Sequence, residues 1–245
     1  MKVYSIPGVN GLGKTLGVEK NEELFKGMVS FNVEINRENI SEQLNQIYSA
    51  AKDFVKEEFL VLGGDHSISF PIAKAFFEEY GDEAKLLVFD AHPDLIEPMP
   101  EPGHEEWLRA VVLLGFKPEN ILLVGVRRES ENIDEKEIKY AKEEGIKIIY
   151  SDEFEERKEE IIVFVSSGKI YCSFDIDAFD SSLVKSTGYV EDNGLMEEEV
   201  FELMDKIKDK FFGFDLVEIN LDKGSEDHKK ETSEIGRKLI KVVKD

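Results

Sequence analysis

Short apolar runs alternate with longer amphipathic segments along the whole chain. The apolar runs predict buried strands, and the segments with apolar residues at helical spacing predict helices. Strands are predicted at residues 2–6, 28–33, 59–62, 86–89, 121–126, 146–150, 170–174 and 214–219. Helices are predicted at residues 38–56, 67–80, 104–115, 134–144, 152–165, 196–211 and 231–243.

This alternation of strand and helix predicts an α/β fold. We expect three layers, α/β/α, with a mostly parallel sheet of about eight strands and helices on both faces. A chain of 245 residues has room for one α/β domain or for two small ones. No repeat, linker or low-complexity segment divides the sequence, so we expect a single domain over residues 1–245.

The charge balance narrows the range of partners. The chain has 53 acidic and 31 basic residues, a formal net charge of −22. That excess disfavours nucleic acid and anionic membranes as partners, and it fits a cationic substrate or simply solubility. The single cysteine excludes an internal disulfide, and no signal peptide or membrane-length apolar run is visible. We therefore expect a cytoplasmic protein.

The most informative stretch is the predicted strand 86–89 and the residues after it. Asp90, His92 and Asp94 follow at intervals of two. Residues spaced by two share one face of an extended chain, so these three side chains are expected to converge on one point. Pro93 stiffens the turn and ends the sheet ladder. A rigid support of this kind is what metal ligands require.

Two further apolar runs end in the same way. One is followed by Asp175 and Asp177, and another by two glycines, which allow a sharp or left-handed turn, and then His66. In a parallel sheet all strand carboxyl ends lie at one edge, where sites are built. Each residue alone has an ordinary explanation as a turn former, helix cap or structural histidine. Together, however, these acids and imidazoles would repel and desolvate one another without a cation.

We therefore predict six metal ligands: His66, Asp90, His92, Asp94, Asp175 and Asp177. Oxygen-rich ligands with two imidazoles and no thiolate suit Mn²⁺, with Fe²⁺, Co²⁺, Ni²⁺ and Zn²⁺ as alternatives. Six ligands with bridging carboxylates fit two ions, which would activate water near neutral pH.

The segments that carry these ligands resemble the three metal motifs of the ureohydrolases, the family of arginase, agmatinase and their relatives. The segments are Gly63-Gly64-Asp65-His66-Ser67, Asp90-Ala91-His92-Pro93-Asp94 and Ser173-Phe174-Asp175-Ile176-Asp177-Ala178-Phe179-Asp180. The resemblance implies an arginase-like fold and two Mn²⁺ ions per subunit, which activate water to attack a guanidinium carbon and release urea. It also implies a homo-oligomer, since family members are often trimers or hexamers.

The resemblance also implies roles for individual residues. One metal set comprises His66, Asp90, Asp94 and Asp175, and the other comprises Asp90, His92, Asp175 and Asp177, with Asp90 and Asp175 bridging. Glu218 resembles the acid that pairs with the guanidinium group through two parallel hydrogen bonds, although it could be an ordinary strand-end carboxylate. His104 resembles a proton-shuttling histidine at the mouth of the site, although it could be a helix cap. Asp94 or Asp177 would be close enough to protonate the departing amine.

The sequence departs from the family pattern around the substrate. The third motif is followed by Ser181, Val184-Lys185 and Thr187-Gly188-Tyr189-Val190, where the family usually has Pro, Ala-Pro and Thr-Gly-Thr-Pro. Residues 11–19 only faintly resemble the arginase entry loop. These differences put substrate specificity in doubt, and they leave open a metal-binding homologue with little turnover.

The segment before His104 favours a substrate without a carboxylate. It contains Glu97 and Glu101, which would repel an amino-acid carboxylate unless both face solvent. We therefore expect hydrolysis of agmatine to putrescine and urea. Arginine hydrolysis, or hydrolysis of another amidine or amide by the same fold, is the alternative.

Overall fold

The computed structural model describes residues 1–11 and 15–244, apart from the side chains of residues 22 and 23. The predicted entry-loop resemblance at 11–19 therefore falls partly outside the described residues. The strands are β1 Lys2–Ile6, β2 Phe31–Asn32, β3 Phe59–Gly63, β4 Ala84–Phe89, β5 Ile121–Val126, β6 Lys147–Tyr150, β7 Lys169–Asp175 and β8 Phe211–Val217. The α-helices are α1 Ile40–Phe54, α2 Ser69–Tyr80, α3 Trp107–Leu113, α4 Glu135–Glu144, α5 Phe154–Phe164, α6 Glu197–Ile207 and α7 Glu226–Lys244.

The eight strands form one sheet in the order β2-β1-β3-β8-β7-β4-β5-β6, and every pairing between them is parallel. Successive residues of each strand face opposite sides, so Leu87 and Phe89 enter one apolar core while Leu86 and Val88 enter another. Apolar residues of the helices complete both cores. The predicted three-layer α/β fold with a parallel sheet of about eight strands is confirmed.

The strand order brings the sequence-distant motifs together. Strands β3, β8, β7 and β4 are neighbours in the middle of the sheet. Their carboxyl ends lead into His66, Glu218, Asp175 and Asp90, respectively. All parallel strands end at the same edge, so these four side chains meet there although up to 152 positions separate them in the chain.

Several element boundaries differ from the sequence prediction. The predicted strand 28–33 is ordered as a strand only at Phe31–Asn32, because it lies at the sheet edge and pairs with β1 alone. The predicted helix 196–211 ends at Ile207, and Phe211 begins β8 because it pairs with Ile170. Helix α7 begins at Glu226 rather than at 231. Its first turns are polar and give no amphipathic signal. No helix in the described part of the chain is long and apolar enough to cross a membrane.

Candidate metal centre

The segment after β4 folds as a tight turn. Asp90 N donates to Val124 O on the neighbouring strand at 3.0 Å, and Asp90 Oδ1 accepts from His92 N at 2.7 Å. Asp94 adopts a left-handed backbone with φ of 52°, a conformation uncommon outside glycine, asparagine and aspartate. Asp90, His92 and Asp94 therefore come together through a tight turn and not through the alternation of an extended chain. Asp90 and Asp94 belong to one group of potential metal ligands, and Asp90 and His92 belong to another.

A first group of ligands surrounds His66. Its Nδ1 atom lies 3.0 Å from Asp90 Oδ2, 3.1 Å from Asp94 Oδ2 and 3.4 Å from Asp175 Oδ2. All four side chains are at most 7% exposed. The potential ligand atoms of His66, Asp90 and Asp94 are close enough together to hold one metal ion.

A second group surrounds His92. Its Nδ1 atom lies 3.4 Å from Asp90 Oδ1 and 3.2 Å from Asp177 Oδ2. These three residues could also hold one ion. Asp90 thus faces a histidine with each of its two oxygens. Asp175 contributes Oδ2 to the first group, while its Oδ1 accepts a 2.8 Å hydrogen bond from Asp177 N.

The cluster has the properties expected of a cation site. His66 Nδ1 and Asp90 Oδ2 are both buried, and neither has a hydrogen-bond partner. They lie 3.0 Å apart, but they do not form a hydrogen bond with each other. Burial and the nearby Asp90 carboxylate raise the pKa of Asp94 well above its usual range. Burial, Asp177 and Asp90 likewise raise the pKa of Asp175. Ionised carboxylates at this density are costly unless a positive charge lies between them.

Fully buried partners fix the ring of His66. Its Nε2 atom lies 2.9 Å from Ser173 Oγ, which donates to Asp215 Oδ1 at 2.7 Å. Asp215 also accepts hydrogen bonds from Ser69 Oγ and from the hydroxyl of Tyr171. With Nε2 occupied in this way, Nδ1 is directed at the carboxylates. Partners of this kind orient the histidine ligands of metal sites.

Two glycines precede His66, and of the two alternatives predicted for them, a sharp or a left-handed turn, the left-handed one does not occur. Neither Gly63 nor Gly64 has a positive φ. A Cβ atom on Gly64 would lie only 1.8 Å from the carbonyl oxygen of Gly8. The glycine is therefore required for the close approach of two backbone segments and not for a left-handed turn.

Glu218 follows β8 and lines the same cavity as the candidate metal ligands. Its backbone is left-handed, with φ of 66°, and its N donates to Gly64 O at 2.9 Å. Glu218 Oε1 accepts from His66 N at 2.9 Å, whereas Oε2 is buried with no partner among the described residues. Burial, with the nearby Asp65 carboxylate, raises the pKa of Glu218 well above its usual range. A buried carboxylate oxygen without a donor is suited to binding a cation.

These groups line one narrow cavity. His66, His92, Asp94, Asp175, Asp177 and Glu218 form its inner wall, and Ile96, His104, Glu105, Asn132, Glu137 and Tyr189 also line it. Its volume of about 20 Å³ leaves room for roughly one water molecule. Tyr189 OH donates to Glu105 Oε1 at 2.6 Å, and the Tyr189 ring packs beside His92 and His104.

The acid next to His104 is not one of those that the sequence analysis considered. His104 lines the cavity, and its Nε2 is buried without a hydrogen-bond partner. Glu97 is exposed, and neither it nor Glu101 is among the described residues that line this cavity. The acid beside His104 is instead Glu105, which the sequence argument overlooked.

Sequence reasoning also missed Glu191. Its Oε1 atom lies 3.3 Å from His92 Nε2. Burial alone would raise the pKa of Glu191, but contacts with His92, Asn132 and Ser130 outweigh burial and lower the pKa to about 2. The available signal was its position directly after the unusual Thr187–Val190 segment.

Comparison with known protein families gives a match over most of the chain. The model of the arginase family matches residues 16–243 of the sequence. The chain belongs to the arginase family.

The relatives in this family include both arginases and agmatinases. The agmatinase of Bacillus subtilis (strain 168) is 31% identical over 188 residues, which are 74% of this chain and 61% of that protein. The mitochondrial arginase of Medicago truncatula is 30% identical over 166 residues, which are 66% of this chain and 48% of that protein. The chain thus spans about half the length of that arginase.

A solved structure shows the same fold over nearly the whole chain. The proclavaminate amidino hydrolase from Streptomyces clavuligerus superposes with a TM-score of 0.85. The superposition covers 98% of this chain and 90% of that chain, at 21% identity. Identity this low supports the fold and leaves the substrate open.

Proposed function

We propose that this chain is a dinuclear metal hydrolase that cleaves a guanidino compound to urea and an amine. The observation that carries the proposal is the shared position of Asp90. Its two oxygens face the Nδ1 atoms of two different histidines, at 3.0 Å and 3.4 Å. One carboxylate placed between two ligand groups is the arrangement that two neighbouring ions require.

In this proposal the ligands form two overlapping sets. His66, Asp90, Asp94 and Asp175 hold one ion, and Asp90, His92, Asp175 and Asp177 hold the other. The oxygen-rich set favours Mn²⁺ over softer ions. When bound, the pair of divalent ions supplies Lewis acidity and activates water near neutral pH.

The residues of the chain bind the substrate and move protons. Glu218 receives the planar cation through its unpartnered Oε2 and orients it with charge-assisted hydrogen bonds. The oxygen of water forms a bond to the guanidinium carbon as water gives up its two protons. The bond from that carbon to the amine nitrogen breaks, one of these protons goes to solvent, and the amine nitrogen takes the other. Asp94 or Asp177 delivers that proton, and His104 exchanges protons with solvent at the mouth of the cavity.

Agmatine, hydrolysed to putrescine and urea, is the substrate we propose. The described cavity lining includes Glu105, Glu137 and Glu218 but no lysine or arginine. A substrate carboxylate would meet negative charge there with no cationic side chain to pair with, whereas the amine of agmatine would be attracted. Arginine and other amidines are the alternatives.

A metal-binding homologue with little turnover is the second candidate. The observation in its favour is Tyr189, whose ring and hydrogen bond to Glu105 narrow the cavity mouth. Assembly into a homo-oligomer such as a trimer or hexamer, and a location in the cytoplasm, stay predictions.

Urea release from purified protein tests both candidates. The assay uses agmatine, arginine and 4-guanidinobutyrate, after incubation with Mn²⁺ or with EDTA. We expect Mn²⁺-dependent urea release that is fastest with agmatine. Faster release from arginine would contradict the proposed substrate. Binding of two ions without urea from any guanidine would favour the second candidate, and failure to bind metal would contradict both.

A further inference from the structure

A buried carboxylate lies behind His92, on the side opposite the ligand cluster. Glu191 Oε1 is 3.3 Å from His92 Nε2, whereas His92 Nδ1 faces Asp90 and Asp177 at 3.4 Å and 3.2 Å. A neutral imidazole carries one N–H and one lone pair, and an ionised carboxylate can only accept. With a metal ion on Nδ1, the single hydrogen of the neutral ring would lie on Nε2, where the Glu191 carboxylate can accept it.

Polar neighbours hold the Glu191 side chain in place. Ser130 Oγ donates to Glu191 Oε1 at 2.9 Å, and Asn132 Nδ2 donates to the same oxygen at 2.6 Å. Glu191 is only 8% exposed. The carboxylate therefore has a defined position even apart from its contact with His92.

The backbone around Glu191 is fixed as well. Ser181 N donates to Glu191 O at 3.0 Å, and Arg127 Nε donates to Asp192 O at 3.0 Å. The guanidinium of Arg127 also donates to Asp177 O at 2.9 Å through Nη2. One buried arginine thus links the backbone next to Glu191 to the backbone of Asp177.

We propose that Glu191 is a positioning residue that holds His92 in the orientation and tautomer in which Nδ1 binds a metal ion. The inference rests on the metal centre of the proposed function and is independent of the substrate. A carboxylate that accepts from the second nitrogen of a histidine ligand raises its basicity and fixes its ring. The altered segment after the third motif therefore supports the metal centre.

Metal titration of the Glu191→Ala and Glu191→Gln variants tests the proposal. Metal-free proteins are titrated with Mn²⁺ by calorimetry, and with Co²⁺ while its visible absorption is recorded. We expect Glu191→Ala to lower the affinity for one of the two ions by about 10–100-fold and to leave the affinity for the other nearly unchanged. Glu191→Gln should lose less metal affinity, because its amide oxygen can still accept a hydrogen bond from His92 Nε2. Equal affinities in all three proteins would overturn the proposal.

A double-mutant cycle with His92→Ala separates positioning from general destabilisation. If Glu191 acts through His92, then Glu191→Ala has no further effect on metal affinity in the His92→Ala background. An additional loss of the same size there would overturn the proposal.

Thermal unfolding of the metal-free variants verifies that they fold. If Glu191→Ala does not fold, Asn132→Ala, which removes one of the two side-chain donors that hold the Glu191 carboxylate, is measured in the same cycle. Exposed Glu97→Gln is the control for charge. If the wild-type protein binds no ion, the proposed function fails as well, whereas normal binding in all variants removes only this inference.

Discussion

Trp107 Nε1 donates a 2.8 Å hydrogen bond to Asp94 Oδ2, the same oxygen that lies 3.1 Å from His66 Nδ1. The Trp107 ring also packs against the His66 ring, with centroids 4.8 Å apart. One fully buried side chain at the start of α3 therefore restrains two members of the first ligand group. The hydrogen bond from Trp107 thus holds the carboxylate of Asp94, the residue whose backbone is left-handed.

The Trp107→Phe substitution tests that restraint. It removes the N–H donor and keeps an aromatic ring, so its main effect is the loss of the hydrogen bond to Asp94. We expect affinity for one ion to drop about 10-fold and the free energy of unfolding to drop by about 1–3 kcal/mol. Calorimetric metal titration and urea denaturation measure the two effects. Phe116→Leu, in the same core but without a polar contact, should lower stability alone. An unchanged metal affinity in Trp107→Phe would show that Asp94 needs no such donor.

Metal loading is expected to stabilise the protein in a pH-dependent way. Despite the opposing effect of burial, nearby carboxylates raise the pKa values of His66 and His92, and burial itself raises those of Asp94 and Asp175. Groups with raised pKa values contribute stability at low pH that is lost as pH rises through those values. The pKa of Asp90 is lowered instead, because contacts with His66 and His92 outweigh burial. The stability that Asp90 contributes is therefore lost only in strong acid. Metal-free protein should therefore be less stable at pH 8 than at pH 6.

Bound metal displaces those protons, so its effect has the opposite pH dependence. At a concentration 100 times its Kd, an ion stabilises the folded state by about 2.7 kcal/mol. Thermal unfolding at pH 6 and pH 8, with Mn²⁺ or EDTA, measures the difference. We expect the larger metal-induced rise in Tm at pH 8. An equal rise at both pH values would mean that binding does not compete with protons at these residues.

The sequence predicted the parts of the fold and site that local patterns encode. Strand β5 occupies the predicted residues 121–126, because a continuous apolar run between turn signals is visible locally. Helix α4 occupies nearly the whole of its predicted range 134–144, and a capping box at Asp134 begins it. The candidate ligands could be recognised because each lies at the end of β3, β4 or β7 or within five residues after it.

The missed features depend on contacts that the local sequence does not carry. Phe211 looks like the end of an amphipathic helix, yet pairing with β7 makes it a strand residue. Trp107 and Glu191 reach their partners across 13 and 99 positions of the chain. Asp94 departs from the extended alternation because its surroundings favour a left-handed turn. Each of these outcomes was decided by tertiary packing.

Glu218→Gln should impair substrate binding while leaving the metal centre intact. The amide keeps the size of the side chain and can still accept from His66 N, but it lacks the negative charge that pairs with a guanidinium group. A lost charge-assisted hydrogen bond is worth about 1.5–3 kcal/mol, so kcat/KM should fall by about 10–100-fold. Steady-state urea assays measure this change, and metal content should be unchanged. Glu97→Gln, whose parent side chain is exposed, is the matched control and should retain wild-type kcat/KM. Unchanged kinetics in Glu218→Gln would remove this residue from substrate binding.

Tyr189 is expected to limit the size of the substrate. Its hydroxyl is tied to Glu105, and its ring covers His92 and His104 at the mouth of a cavity of about 20 Å³. Tyr189→Thr, which restores the usual family residue, should open the mouth and favour long substrates over short ones. Tyr189→Phe keeps the ring but frees it from Glu105, so it should have a smaller effect in the same direction.

The measurement is the ratio of kcat/KM for agmatine to that for methylguanidine, which has the same reacting group but no aminobutyl chain. Differences of a few methylene groups in a pocket change this ratio by roughly tenfold or more, so we expect about a tenfold rise in Tyr189→Thr. Because both substrates react at the same centre, a general loss of activity cancels in the ratio. Exposed Val190→Ala, in the adjacent position, should leave the ratio unchanged. If Tyr189→Thr also leaves it unchanged, the size of the substrate is set elsewhere, and the Glu105–Tyr189 contact serves only to hold the loop.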